Sequence, residues 1–161
     1  MLRVALLVIN SKIVSGVERD EGREALEKMV STLPGTVVAY EVVEDDRKVI
    51  RDRLIGFCET ESTDVILTVG GTGVRPTDWA PEATRDVIEK EIPGIGEAMR
   101  QESLKKVRTA MLSRGTAGIF GRSLIINLPG NPRGARENLA VIQPVLDHIV
   151  EKIGGKRAGG P

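Results

Sequence analysis

The tetrad Gly70-Gly71-Thr72-Gly73 comes directly after a β-branched apolar run that ends at Val69. Glycines let a backbone approach a ligand closely and reach positive φ, so successive N–H groups can converge on an anion. The same tetrad also suits an ordinary tight turn. It lacks the Gly-Lys-Ser/Thr of a P-loop and the Gly-x-Gly-x-x-Gly of a dinucleotide fold. A second glycine-bearing connection, Asn127-Leu128-Pro129-Gly130-Asn131-Pro132, leads from an apolar run into a helical pattern. Pro-Gly is common turn chemistry and proline commonly opens a helix, but Asn127 puts an amide where a strand needs none. Carboxylates follow the same ends: Asp45 and Asp46 close one apolar run, and Asp78 lies eight residues after Gly70. A carboxylate beside an anion cradle repels the ligand unless a cation intervenes. Mg²⁺ held by one or two carboxylates plus substrate phosphates meets that need. Helix capping is the alternative use for Asp46 and Asp78, which precede helical patterns, whereas Asp45 stands one residue earlier.

Something must bring these loops together. Strand patterns over residues 2–9, 36–43, 64–69, 116–120 and 123–128 alternate with helical patterns over 21–33, 46–59, 81–91, 95–107 and 133–153. That alternation predicts an α/β fold with helices on both faces of a largely parallel sheet. Gly121-Arg122 between the last two strands suggests a hairpin, which makes the sheet mixed. Residues 10–20 read as a loop, Pro93-Gly94 as a helix break, and Pro144 as a kink or division of the last helix. One domain spans 1–153, and 154–161 reads as a flexible C-terminal tail. Ligands of open α/β sheets gather at strand carboxyl ends, so the two glycine loops should open on one edge as a cleft.

Composition narrows the partners. Lys plus Arg and Asp plus Glu both number 23, a balance that predicts no global attraction to nucleic acid or to a membrane surface. The apolar run at 4–9 is far too short for a membrane span or signal segment, which points to a cytoplasmic protein. The single cysteine, Cys58, and single histidine, His148, exclude a disulfide framework and a multi-Cys or multi-His metal site. Aromatic residues make up 2% of the chain, so recognition by stacking is disfavoured. A nucleotide-binding oxidoreductase is disfavoured for the same reason and for want of the dinucleotide fingerprint.

In chain order, Gly70-Gly71-Thr72-Gly73 with Asp78, Pro81-Glu82-Ala83-Thr84, Glu91-Ile92-Pro93-Gly94, Met111-Leu112-Ser113-Arg114 and Asn127-Leu128-Pro129-Gly130-Asn131-Pro132 form a joint pattern. With Ser15-Gly16-Val17, Asp20-x-Gly22 and the stretch from Met99 to Leu104, the pattern covers nearly the whole chain. It resembles the MogA/MoaB family of molybdenum cofactor biosynthesis proteins, in particular the molybdopterin adenylyltransferases and gephyrin-like G domains.

The resemblance implies a three-layer αβα sandwich, a homo-oligomer (trimer or hexamer), and Mg²⁺- and ATP-dependent adenylylation of molybdopterin with release of pyrophosphate. It further implies hand-over of the product to a molybdate-inserting MoeA-like protein. Carried over by position, Gly70, Gly71, Thr72 and Gly73 would cradle phosphate, and Asp45 and Asp78 would act in catalysis and hold Mg²⁺. Ser103, Ser113 and Arg114 would bind the pterin or its phosphate, Asn127, Pro129 and Gly130 would shape the nucleotide side, and Asp20 would join the binding set. The chain departs from the family at Asn10-Ser11, where Ser-Asp is usual, at Glu44 in place of proline, and at Trp79-Ala80 in place of Val-Thr. The amide of Asn10 keeps hydrogen bonding and loses charge. Trp79 could cover the ligand, pack on a neighbouring subunit or close the local core. The runner-up is a MoaB-type protein that binds molybdopterin without efficient transfer, with Asn10 as its supporting feature.

Overall fold

The structure is a computed structural model that describes residues 1–60 and 62–154. Its elements run β1 (Leu2–Ile9), α1 (Ser11–Val14), α2 (Arg23–Ser31), β2 (Gly35–Val43), α3 (Arg47–Thr60), β3 (Val65–Val69) and α4 (Ala80–Val87). They continue through β4 (Lys90–Glu91), α5 (Pro93–Leu104), a 3₁₀ turn (Arg108–Leu112), β5 (Ala117–Phe120), β6 (Ser123–Leu128) and α6 (Pro132–Gly154). The sheet has six strands in the order β2-β1-β3-β6-β5-β4. β2, β1, β3 and β6 run parallel, and β5 pairs antiparallel with both β6 and β4.

Alternation along the strands builds two cores. Val4, Leu6, Val8, Leu67 and Ile126 face one way, against Leu26 and Met29 of α2, Met99 of α5 and Leu139 and Ile142 of α6. Ala5, Leu7, Ile66 and Ile125 face the other way, against Ile50, Leu54 and Phe57 of α3 and Ala83 and Val87 of α4. β3 is buried along its whole length, as a central parallel strand covered on both faces must be. The result is the three-layer αβα sandwich.

Local structure departs from the sequence expectations at identifiable points. Residues 10–20 contain the short helix α1, capped by Asn10, whose Oδ1 accepts from the N–H groups of Lys12 and Ile13 at 3.0 Å each. Asn10 is therefore spent on the backbone of its own loop. The helix expected over 81–91 ends at Val87. Glu89 N–H then donates to Ile119 O at 2.7 Å and Ile92 N–H to Ala117 O at 2.8 Å, so this segment finishes the open edge of β5. Gly118 permits that approach, since a Cβ there would lie 2.5 Å from Ile88 Cδ1 and 2.7 Å from Lys90 O. Pro93 opens α5 and does not break a helix, because the missing N–H costs nothing in the first turn. α6 runs through Pro144 as one element and takes in Gly154; the remainder of the expected tail, residues 155–161, lies outside the described residues. Asp46 caps α3 by accepting Val49 N–H at 3.0 Å. The hairpin stands as read: Phe120 pairs with Ser123, and Gly121 in the turn has φ +58°.

Trp79 packs partly buried against the α3–α4 core, which leaves closing the local core as its role within the chain. Cys58 is half-buried beside Ser123, and burial pushes its thiol up to about 11.

Candidate active site

The carboxyl ends of β1, β3 and β6 meet at one edge of the sheet. Gly70 N–H donates to Leu128 O at 3.0 Å, and a Cβ on Gly70 would stand 2.5 Å from Ile9 O. Gly70 and Gly71 have φ of +109° and +68°; Gly73 does not share that conformation, so its need for glycine is steric. A Cβ on Gly73 would lie 2.8 Å from Asp78 Oδ2. Gly130 of the second loop abuts Gly70, a Cβ there lying 3.4 Å from Gly70 Cα.

Over this edge lies a cleft of about 730 Å³, within the usual size of a small-molecule site. Gly71, Thr72, Gly73 and Val74 form one wall, and Pro129, Gly130 and the start of α6 form another. Among the described residues the N–H groups of Gly71, Thr72, Gly73 and Val74 have no acceptor. Four successive unmet donors on a cleft wall have the chemistry that an anion cradle requires. The N-terminus of the 23-residue helix α6 adds partial positive charge at the same cavity, its first turn capped by Asn131 Oδ1 accepting from Gly134 N–H at 2.6 Å. Arg75, Arg100, Lys106 and Arg133 line the cleft against the acidic Asp78 and Glu137.

Of the residues singled out in the sequence, Gly71, Thr72, Gly73, Asp78, Ser103, Ser113, Pro129 and Gly130 line this cleft. Ser103 Oγ accepts from Asn138 Nδ2 at 2.9 Å, and Ser113 Oγ accepts from Gly115 N–H at 3.5 Å. Asp78 Oδ2 accepts from Arg75 N–H at 2.9 Å, which closes the turn after the cradle.

Asp45 stands behind the cradle. Its N–H donates to Ser11 Oγ at 2.8 Å, its Oδ1 accepts from Trp79 N–H at 3.0 Å, and its Oδ2 lies where a Cβ on Gly71 would come within 3.1 Å. Burial, opposed by the Trp79 hydrogen bond and reinforced by the charges of Asp78, Asp46 and Glu82, pushes its carboxyl up to about 6.

Asn127, Arg114 and Asp20 are turned to other work. Asn127 is buried, with Nδ2 donating to Thr68 Oγ1 at 2.9 Å and Thr84 Oγ1 at 2.8 Å, while its Oδ1 accepts from Thr116 N–H at 3.1 Å. It ties β6 to β3, α4 and the entry of β5. Asn127→Ala is expected to lower stability by about 3 kcal/mol, since three buried polar groups lose their partner; the denaturant midpoint measures this. Arg114 lies against the outside of the cradle loop. Asp20 accepts from Tyr40 Oη at 2.7 Å and holds the loop before α2 against β2, away from the cleft lining.

The basic rim escaped the sequence reading. Arg100 and Lys106 stand three residues either side of Ser103, a helical spacing that puts them on its face. Arg133 follows the Asn-Pro helix start directly, and either pattern could have revealed them.

A model of the family described as "Probable molybdopterin binding domain" matches residues 5–148. The chain is 40% identical over 156 residues to the molybdopterin adenylyltransferase of Helicobacter pylori strain J99, covering 96% of this chain and 89% of that protein. It is 37% identical over 151 residues to the molybdopterin adenylyltransferase of Escherichia coli K12, covering 92% and 77%. Its fold superimposes on the crystal structure of the molybdopterin biosynthesis enzyme MoaB of Thermus thermophilus with a TM-score of 0.90 at 44% identity, covering 97% and 98%.

Proposed function

The chain belongs to the MogA/MoaB family of molybdopterin-binding proteins, and from that premise we propose how its cleft works. It is a molybdopterin adenylyltransferase of molybdenum cofactor biosynthesis. The binding-protein alternative is not favoured, because relatives similar over most of the chain bear the enzyme's name. The observation that supports the reading best is the run of four unmet N–H groups from Gly71 to Val74 on the cleft wall.

In this reading ATP is the co-substrate. A terminal phosphate oxygen of molybdopterin attacks the α-phosphorus of ATP, a new P–O bond forms, and the bond to the bridging oxygen breaks as pyrophosphate leaves. The attacking phosphate is already ionised at neutral pH, so the protein needs neither a nucleophile of its own nor a strong base. Its task is alignment and charge stabilisation. The cradle N–H groups and the start of α6 hold phosphate oxygens, while Arg75, Arg100, Lys106 and Arg133 offset the remaining charge. Ser103 and Ser113 face the pterin, and Pro129 and Gly130 shape the nucleotide side.

Asp45, behind the loop at Gly71, and Asp78, within the loop beside Gly73, are close enough for the charge of Asp78 to raise the Asp45 carboxyl. Such a pair suits Mg²⁺ bound by one or two carboxylates and by ligand phosphates. Among the described residues no three His, Cys, Asp or Glu side chains converge on a metal, so ligand oxygens would complete the shell. When bound, the ion would neutralise charge on the phosphates.

The test is a turnover assay with molybdopterin and Mg-ATP that follows pyrophosphate. No pyrophosphate from protein that binds both ligands overturns the reading. We further propose a cytoplasmic homotrimer that hands its product to a MoeA-like protein. Sedimentation at micromolar concentration is expected to give a trimer, and a monomer there would contradict it.

A further inference from the structure

Arg114 carries the cation that phosphate favours, yet each of its three guanidinium nitrogens already donates within the protein and the residue is not among those that line the cleft. Its Nε donates to Gly73 O at 2.7 Å, its Nη2 to Asp78 O at 3.0 Å and its Nη1 to Glu82 Oε2 at 2.6 Å. Its own backbone N–H donates to Thr72 O at 2.8 Å. Three carbonyls of the loop from Thr72 to Asp78 therefore turn toward one residue.

A trans peptide is planar, so a carbonyl turned one way sends the next N–H the other way. With Thr72 O and Gly73 O held by Arg114, the N–H groups of Gly73 and Val74 are aimed away from it, and both residues line the cleft. The peptide between Asp78 and Trp79 is held at both ends: its carbonyl by Arg114 and its N–H by Asp45 Oδ1 at 3.0 Å. Glu82, from the first turn of α4, fixes the guanidinium in turn.

We infer that Arg114, paired with Glu82, is a positioning residue that sets the shape of the anion cradle and does not itself contact the ligand phosphates. This assignment rests on the reading of the loop from Gly71 to Val74 as the phosphate site. A lysine cannot replace the residue, because one ammonium cannot reach acceptors spread over Gly73, Asp78 and Glu82 in the fixed geometry of a guanidinium fork.

Trp79 is the only tryptophan and shares the braced peptide, so its fluorescence reports on the brace without any ligand. The experiment compares Arg114→Lys, Arg114→Gln and Glu82→Gln with the parent in the intact protein. It reads acrylamide quenching of Trp79, the Kd for Mg-ATP by calorimetry, and adenylyl transfer at saturating Mg-ATP. All three variants are expected to quench more readily when ligand-free. Arg114→Lys is expected to match Arg114→Gln, with Kd raised about 10- to 100-fold by misdirected N–H donors and with transfer still depressed at saturation. If Arg114→Lys keeps parental Kd and quenching, Arg114 acts as a charge and the inference is overturned. Tighter Mg-ATP binding by Glu82→Gln, as expected of a guanidinium freed for phosphate, overturns it as well. Should Arg114→Gln fail to fold, the other two variants decide the matter. A parent protein that does not bind Mg-ATP would sink the functional reading instead, and the ligand-free quenching still tests the brace.

Discussion

Asp45→Asn is expected to fold and to bind Mg-ATP, yet to transfer adenylyl groups about 10²- to 10³-fold more slowly than the parent. The amide oxygen of asparagine can still accept the Trp79 N–H that Asp45 Oδ1 accepts at 3.0 Å, so the loop keeps its shape. What disappears is a negative charge set directly behind Gly71, where a cation that balances the reacting phosphates is attracted. Single-turnover rates with binding measured in parallel check this, and a parental rate in the variant removes Asp45 from the mechanism. Because burial raises the Asp45 carboxyl of the ligand-free protein from 3.8 to about 6, parental kcat/KM for Mg-ATP should fall as pH drops through about 6, and the variant should lack that limb.

Stability should show the opposite sign. The folded state binds this proton more tightly than the unfolded chain, so the contribution of Asp45 is most favourable below 3.8 and is lost as pH rises to about 6. Asp45→Asn should therefore melt higher than the parent above pH 6, with the difference vanishing toward pH 3.8. A melting-temperature difference that grows on acidification would contradict the burial of this carboxyl.

Gly73→Val should separate an anion cradle from a mere turn. A Cβ at Gly73 would stand 2.8 Å from Asp78 Oδ2, so the valine must displace the Asp78 carboxylate or shift the loop. Overpacking of this kind costs about 1 to 3 kcal/mol of stability. The Kd for Mg-ATP should rise about 100-fold or more, since donors aimed at a charged ligand contribute about 1.5 to 3 kcal/mol each. A turn without a binding role forecasts the reverse, with lower stability and unaltered affinity in the folded fraction. Melting temperature and Kd measured on one preparation distinguish the two, and unchanged affinity would end the phosphate-cradle assignment.

Much of this was legible along the chain. The alternation of β-branched runs and amphipathic stretches dictated an α/β sandwich, and Gly121-Arg122 dictated the hairpin, because side-chain period and turn chemistry are local properties. The two glycine loops could be assigned to one edge since parallel strands put their carboxyl ends together. The directions of the polar side chains around those loops were not local. Asn127 finds Thr68 at 59 residues' separation and turns inward, and Arg114 finds Gly73 at 41 and turns behind the loop. Lys90 and Glu91 became a strand only because β5 presented an unpaired edge. In each case sequence chose the functional group, but its partner came from an element far away in the chain. A buried donor or acceptor goes to the partner that tertiary packing brings within reach, because leaving it unmet costs more than any local preference.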